Sequence, residues 1–148
     1  AASFVIHYCI NHKIGNLVIG KNPKWKQGLE IGRLNNQNIC YISHAHFIRK
    51  LTEMATKYGI RLIITEESYT SKASFLDNDE LPVYGEANHP AFSGKRIHRG
   101  LYKSKEGVLI NADVNAACNI LRKAVKTAFG KVSDFTYLYK TVEVYVNP

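Results

Sequence analysis

Apolar residues recur along this chain at two spacings, and their order predicts helix, strand, helix, strand over the first 65 residues. Phe4, Val5, Tyr8, Cys9 and His12 fall at helical spacing within residues 3–13, and Asn11 and Gly15 break the pattern. Leu17-Val-Ile19 is a compact apolar run bounded by Gly15-Asn16 and Gly20-Lys-Asn-Pro23, as a strand covered on both faces would be. A polar, glycine-containing loop follows from Lys21 to Asn38. Ser43 is placed to cap the next helix, whose stripe runs through Phe47, Ile48, Leu51, Met54, Ala55 and Tyr58 before Gly59 ends it. Ile60 to Thr65 is a second apolar strand. Such alternation predicts an α/β fold with a mainly parallel sheet and covering helices.

Beyond residue 72 the pattern is mixed. Residues 73–92 collect Asp77, Asp79, Glu80 and Glu86 with Pro82 and Pro90, and read as an irregular surface excursion. Lys95, Arg96, Arg99, Lys103 and Lys105 then alternate with Ile97, Leu101, Tyr102 and Val108, with a turn at Lys105-Glu-Gly107, which predicts a β-hairpin with a basic face. Asn111 can cap a helix whose apolar positions are Val114, Ala117, Cys118, Leu121 and Val125. Residues 137–146 alternate through Leu138, Val142, Val144 and Val146, the pattern of a last strand.

Composition narrows the function. A chain of 148 residues, 45% hydrophobic and 22% charged, is one domain long and has an ordinary soluble balance. Its net charge of +8 points to a polyanion, with nucleic acid the first candidate partner. No membrane-spanning run and no signal peptide are present, so no membrane is expected and a cytoplasmic, bacterial or archaeal location fits. Cys9, Cys40 and Cys118 are odd in number, widely spaced and set among apolar residues, and read as reduced buried thiols. Lys21, Lys24 and Lys26 surround Trp25, a grouping that could hold phosphates and stack on a base or could anchor a loop. His44 and His46 lie two apart on a helix, which turns them away from each other and argues against a shared metal.

Two acidic positions carry candidate chemistry. Asp113 lies in the first turn of the third helix, where the helix dipole keeps a carboxylate ionised. Glu67 follows the second strand, and side-chain alternation separates it from Glu66. Glu67-Ser-Tyr-Thr-Ser-Lys72 and Asn111-Ala-Asp-Val-Asn-Ala-Ala117, with Gly32-Arg-Leu-Asn-Asn-Gln37 and Arg99-Gly-Leu-Tyr102 beside them, resemble the TnpB (OrfB) proteins of bacterial insertion sequences. The likeness covers most of residues 4–125.

That resemblance implies a partial RNase H-like (RuvC-like) fold, with residues 1–148 the C-terminal part of one nuclease domain and 73–110 an insertion in place of the family's zinc ribbon. It also implies a transposon-encoded, RNA-guided DNA endonuclease, with DNA and a guide RNA as partners. Glu67 and Asp113 would be catalytic ligands of a two-metal Mg2+ or Mn2+ site, because such ions need oxygen donors at fixed geometry. Glu67 would replace the family's usual second carboxylate at the end of the first strand, where this chain has Gly20; Glu66 is the fallback. Hydroxyls and the ammonium of Tyr69, Thr70, Ser71 and Lys72 would grip phosphates, and Lys95, Arg96, Arg99, Lys103, Lys105 and Arg122 would extend the nucleic-acid surface. No zinc is expected, since no cysteine lies between Cys40 and Cys118.

The family's first aspartate has no counterpart, because residues 1–76 contain no aspartate. The opening Ala1-Ala2-Ser3, with Met54 the only methionine, suggests a piece of something longer. The site would then be completed by residues outside this chain, and the chain alone is expected to lack robust nuclease activity. The alternative is a non-catalytic nucleic-acid-binding remnant.

Overall fold

The computed structural model describes residues 1–22, 34–85, 90–130 and 134–139, with the backbone alone for 34–43. These residues divide into two compact units, 1–17 with 34–63, and 18–22 with those of 64–139. The element order is α1 (Ala2–Asn11), β1 (Asn16–Lys21), α2 (Leu34–Lys57), β2 (Arg61–Glu66), β3 (Lys95–His98), β4 (Leu101–Lys103), β5 (Leu109–Asn111), α3 (Ala112–Ala124) and a 3-10 turn at Thr136–Tyr139.

The predicted alternation of the first four elements is present, and β1 and β2 form a small parallel sheet. In the first unit α1 packs on α2. The predicted helix is present and its buried side is Ala2, Ile6 and Cys9; of the residues read at helical spacing Cys9 faces inward and Val5 is half-buried, while Phe4, Tyr8 and His12 form an outward ladder. Tyr8 and His12 stack with centroids 4.0 Å apart. Helix α2 begins at Leu34, nine residues before Ser43, so the predicted loop is shorter than the polar composition suggested. Ile48, Leu51 and Ala55 are buried as expected, whereas Tyr58 is 45% exposed. Gly59 at φ 68° closes the helix, letting the Ile60 amide reach back to the Ala55 carbonyl at 2.9 Å. Trp25, Lys24, Lys26 and the motif 32–37 lie outside the residues described in full.

In the second unit the predicted basic hairpin has a third strand, giving the antiparallel order β3-β4-β5. Turns this short can only return the chain antiparallel, so the expected mainly parallel sheet is limited to β1 and β2 among the described residues. Gly94 lies against the ring of Tyr102, where a Cβ would come 2.6 Å from Cε1 and 2.7 Å from the Lys103 carbonyl. Tyr102, Ile110 and Ala112 form the core, with Leu76, Val114 and Leu138 packed on it. Leu138 reaches that core from the 3-10 turn, not from a strand, and residues 140–146 of the expected last strand lie outside the described residues. Among the described residues no helix is long and apolar enough to cross a membrane.

Residues 73–75 are not the surface excursion that their polar neighbours predict. Ala73 and Ser74 are fully buried and Phe75 nearly so, its ring 4.7 Å from Phe129 and 5.1 Å from Phe135. The buried face of α3 explains this. It consists of Ala112, Asn115, Cys118 and Asn119, not Val114, Ala117 and Leu121. Asn115 accepts from the Phe75 amide at 2.9 Å and donates to the Ala73 carbonyl at 2.9 Å. Asn119 donates to the carbonyls of Thr70 at 3.0 Å and Ala73 at 2.8 Å. The helix therefore buries amide side chains because they satisfy the backbone polar groups of a buried loop.

Candidate functional site

Asn111 caps α3 as predicted, its Oδ1 accepting from the amides of Asp113 at 2.8 Å and Val114 at 3.2 Å. The cap leaves the Asp113 carboxylate exposed at the positive end of the helix. At the end of β2 the two glutamates part, as alternation requires. Glu66 turns to α3, where it accepts from Lys123 Nζ and from the Ser68 amide at 2.6 Å. Burial works against its charge, but those hydrogen bonds outweigh it and hold the carboxyl below the usual glutamate range.

Glu67 turns to β1. A Cβ built on Gly20 would lie 2.7 Å from Glu67 Oε2 and 2.8 Å from Ile120 Cδ1, so the carboxylate occupies space that any other residue at position 20 would take. The Glu67 carbonyl is in turn bonded by the Thr70 hydroxyl at 2.8 Å and the Thr70 amide at 3.2 Å. Thr70 is thereby buried as a turn residue, while Ser71 and Lys72 stay exposed.

Ile120 Cδ1 and Glu67 Oε2 both border the space over Gly20, and Asp113 sits seven residues before Ile120 on the same side of α3. Among the described residues no group of three His, Cys, Asp or Glu side chains could hold a metal ion.

Three of the predicted nucleic-acid contacts come together. Lys72, Lys95 and Arg96 line an open groove of about 520 Å3 with Ser71, Phe92 and Gly94. Lys103 is the register partner of Lys95 across the β3-β4 pair, and Arg99 lies exposed in the turn between those strands. Lys105 is exposed, its amide bonded to the Asp77 carboxylate at 2.8 Å. Arg122 is used differently from the expectation. Its guanidinium bonds Asn78 Oδ1, the Asp79 carbonyl at 2.6 Å and Asn119 Oδ1 at 3.0 Å, which ties α3 to the 70–79 loop.

Sequence reasoning passed over several residues that build this site. Asp79 accepts from the Ser74 amide at 2.7 Å and from the Ser93 hydroxyl at 2.5 Å, joining two segments where the resemblance expects a zinc ribbon. Tyr102 donates to the Lys72 carbonyl at 2.7 Å, and burial, aided by the charges of Asp79 and Asp77, pushes its phenol up to about 12. Lys123 was legible only as positive charge, yet it is largely buried against Glu66. Cys9 and Cys118 are buried free thiols, and burial raises Cys118 to about 11.

No curated protein matches the chain. A family model described as Cas12f1-like, TNB domain, matches residues 44–120, just over half of the chain, a span that includes Glu67, the groove and Asp113. The chain belongs to this Cas12f1-like TNB domain family, which is related to TnpB and Cas12.

Proposed function

We propose that this chain is the C-terminal, nucleic-acid-binding part of a TnpB-like DNA endonuclease with a RuvC-type active site, to which it contributes Glu67 and Asp113. The observation that carries the reading is the Glu67 carboxylate lying over the bare Cα of Gly20. In TnpB-like proteins a carboxylate is expected at that strand end, and here the neighbouring strand supplies one to the same space. Ions of the Mg2+ or Mn2+ class take six or more oxygen ligands, so Glu67 and Asp113 would need further donors from outside the described residues or from water. When bound, such ions would activate water and neutralise the leaving oxygen of a phosphodiester. The chain's own part is to hold one carboxylate over Gly20, to hold the other at a helix N-terminus, and to present Lys72, Lys95 and Arg96 to the phosphate backbone.

The test is Mg2+-dependent nicking of DNA by the complete protein. Loss of nicking in Glu67→Gln and in Asp113→Ala, with DNA binding retained, supports the assignment. A second reading, a binding module without cleavage, is favoured by the cationic groove of Lys72, Lys95 and Arg96, which can hold phosphates without a metal. It predicts salt-sensitive nucleic-acid binding that neither substitution changes, with no nicking.

A further inference from the structure

We infer that Lys123 is the positioning residue for Glu67, holding the residues on either side of it so that its carboxylate stays over Gly20. The inference rests on the reading of Glu67 as a metal ligand proposed above, and deepens it by naming what keeps that ligand in place.

Three observations carry it. Strand β2 ends at Glu66, so Glu67 opens the turn that follows, and that turn must be held by bonds other than a strand ladder. Helix α3 supplies them. Lys123 donates to the Glu66 carboxylate and to the Ser68 carbonyl at 3.1 Å, and Asn119, one turn earlier, donates to the Thr70 carbonyl at 3.0 Å. Alternate residues of the segment 66–70 are thus drawn to one helix, and Glu67 lies between the two that Lys123 holds. The Ser68 amide closes the same bracket by donating to the Glu66 carboxylate at 2.6 Å.

Glu67 itself has little freedom left. Its carbonyl accepts from the Thr70 hydroxyl at 2.8 Å and the Thr70 amide at 3.2 Å. A Cβ on Gly20 would lie 2.9 Å from Glu67 Cβ and 2.7 Å from Oε2, so the side chain is laid along the glycine over most of its length. A shift of the backbone at residue 66 or 68 would therefore carry into the carboxylate. Tyr69, with φ 64°, puts strain into this turn, and a strained turn persists only where surrounding bonds hold it.

Stability does not account for the placement of the ammonium. The Lys123 side chain is 10% exposed and donates also to the Pro82 carbonyl at 3.1 Å. Apolar residues of similar volume in place of a buried ion pair are often no less stable. What the ammonium adds is direction, because its bonds fix the strand end and the turn against the helix. Asp113 opens that same helix, so α3 sets both proposed ligands on one rigid element.

The experiment compares the complete protein as wild type, Lys123→Met, Glu66→Met/Lys123→Met and Glu67→Gln, below the melting transition of every variant. Four quantities are measured: melting temperature, amide hydrogen exchange over residues 66–70, binding of Mn2+ alone by electron paramagnetic resonance, and Mg2+-dependent nicking of DNA. The double variant should recover most of the stability that Lys123→Met loses, because the stranded carboxylate leaves with the ammonium. It is nonetheless expected to exchange faster at residues 66–70, to bind Mn2+ about tenfold more weakly and to nick about tenfold more slowly, the scale usual for groups that orient a ligand carboxylate. Recovery of nicking and Mn2+ affinity together with stability would overturn the positioning role and leave Glu67 a ligand. Slower nicking with unchanged exchange at residues 66–70 would overturn it too, since Glu67 would then not have moved. Full nicking by Glu67→Gln, or none by the wild type, would instead overturn the reading of Glu67 on which the inference rests.

Discussion

Lys123 fastens the two residues that flank Glu67, donating to the carboxylate of Glu66 and to the carbonyl oxygen of Ser68, the latter at 3.1 Å. It also reaches the Pro82 carbonyl at 3.1 Å, so its three protons are all used. Its side chain is 10% exposed and that of Glu66 is 22% exposed, which makes the pair far less screened than a surface bridge. Lys123→Met should destabilise the protein by about 2–3 kcal/mol, because it strands a partly buried carboxylate. Urea unfolding checks this, and adding Glu66→Met to Lys123→Met should recover most of the loss; no recovery would mean that the carbonyl contacts dominate.

Acid should unfold the chain through Glu66 and Asp77. Both are depressed in the folded protein: burial opposes the charge of each, and hydrogen bonds from Lys123 and Ser68, or from Ser74 and Lys105, overcome it. A depressed folded pKa contributes stability that is complete above the ordinary values of 4.5 and 3.8 and is lost as pH falls through the lower folded values. Thermal melts should therefore be flat near neutrality and fall steeply below about pH 4.5. Glu66→Gln should flatten the upper part of that fall.

Gly20→Ala should displace the Glu67 carboxylate while leaving the fold intact. The added methyl meets Glu67 Oε2 at 2.7 Å, Ile120 Cδ1 at 2.8 Å and Glu67 Cβ at 2.9 Å. The first two are ends of rotatable side chains, so a cost of about 1–2 kcal/mol is expected. In the complete protein nicking should fall further than stability does, and equal activity in Gly20→Ala and wild type would detach Glu67 from the site.

Replacing Asn115 by leucine should cost about 2–4 kcal/mol, despite the gain in apolarity, since it leaves the Phe75 amide and a bond to the Ala73 carbonyl unmet in a buried place. Chemical denaturation would measure it. A neutral result would show that water replaces the amide.

The joint between the 70–79 loop and Ser93 should be indifferent to chelators. Asp79 holds it by accepting from Ser74 and Ser93. Excess EDTA should leave the melting temperature unchanged, whereas Asp79→Ala should lower it by several degrees, as loss of about 1–2 kcal/mol does in a domain of this size.

Much of this organisation was legible in the residues themselves. Periodicity located α1, β1, the C-terminal half of α2, β2 and the start of α3, because a half-buried element must repeat its apolar positions at its own pitch. Asn111 was readable as a cap and Gly59 as a helix end, since each acts through bonds within a few residues. Alternation along β2 foretold that Glu66 and Glu67 would part. What hydropathy could not show was the identity of polar residues that face inward. Asn115, Asn119, Arg122 and Lys123 look like the wet side of a helix in one dimension, yet each is drawn in by carbonyls, amides or a carboxylate some forty to sixty residues away in sequence.

The sequence by itself determined the short-range features of this protein: the helices and strands, the caps and turns, the positive charge, and the two motifs that align with a nuclease family. Only the tertiary structure decided that Glu67 would sit over Gly20, that Lys72 would face Lys95 and Arg96 across one groove, and that Arg122 would turn inward. The physical reason is range. A helix or turn is specified by neighbours a few residues apart, whereas a site is specified by which distant polar groups find one another once the apolar surfaces between them have closed.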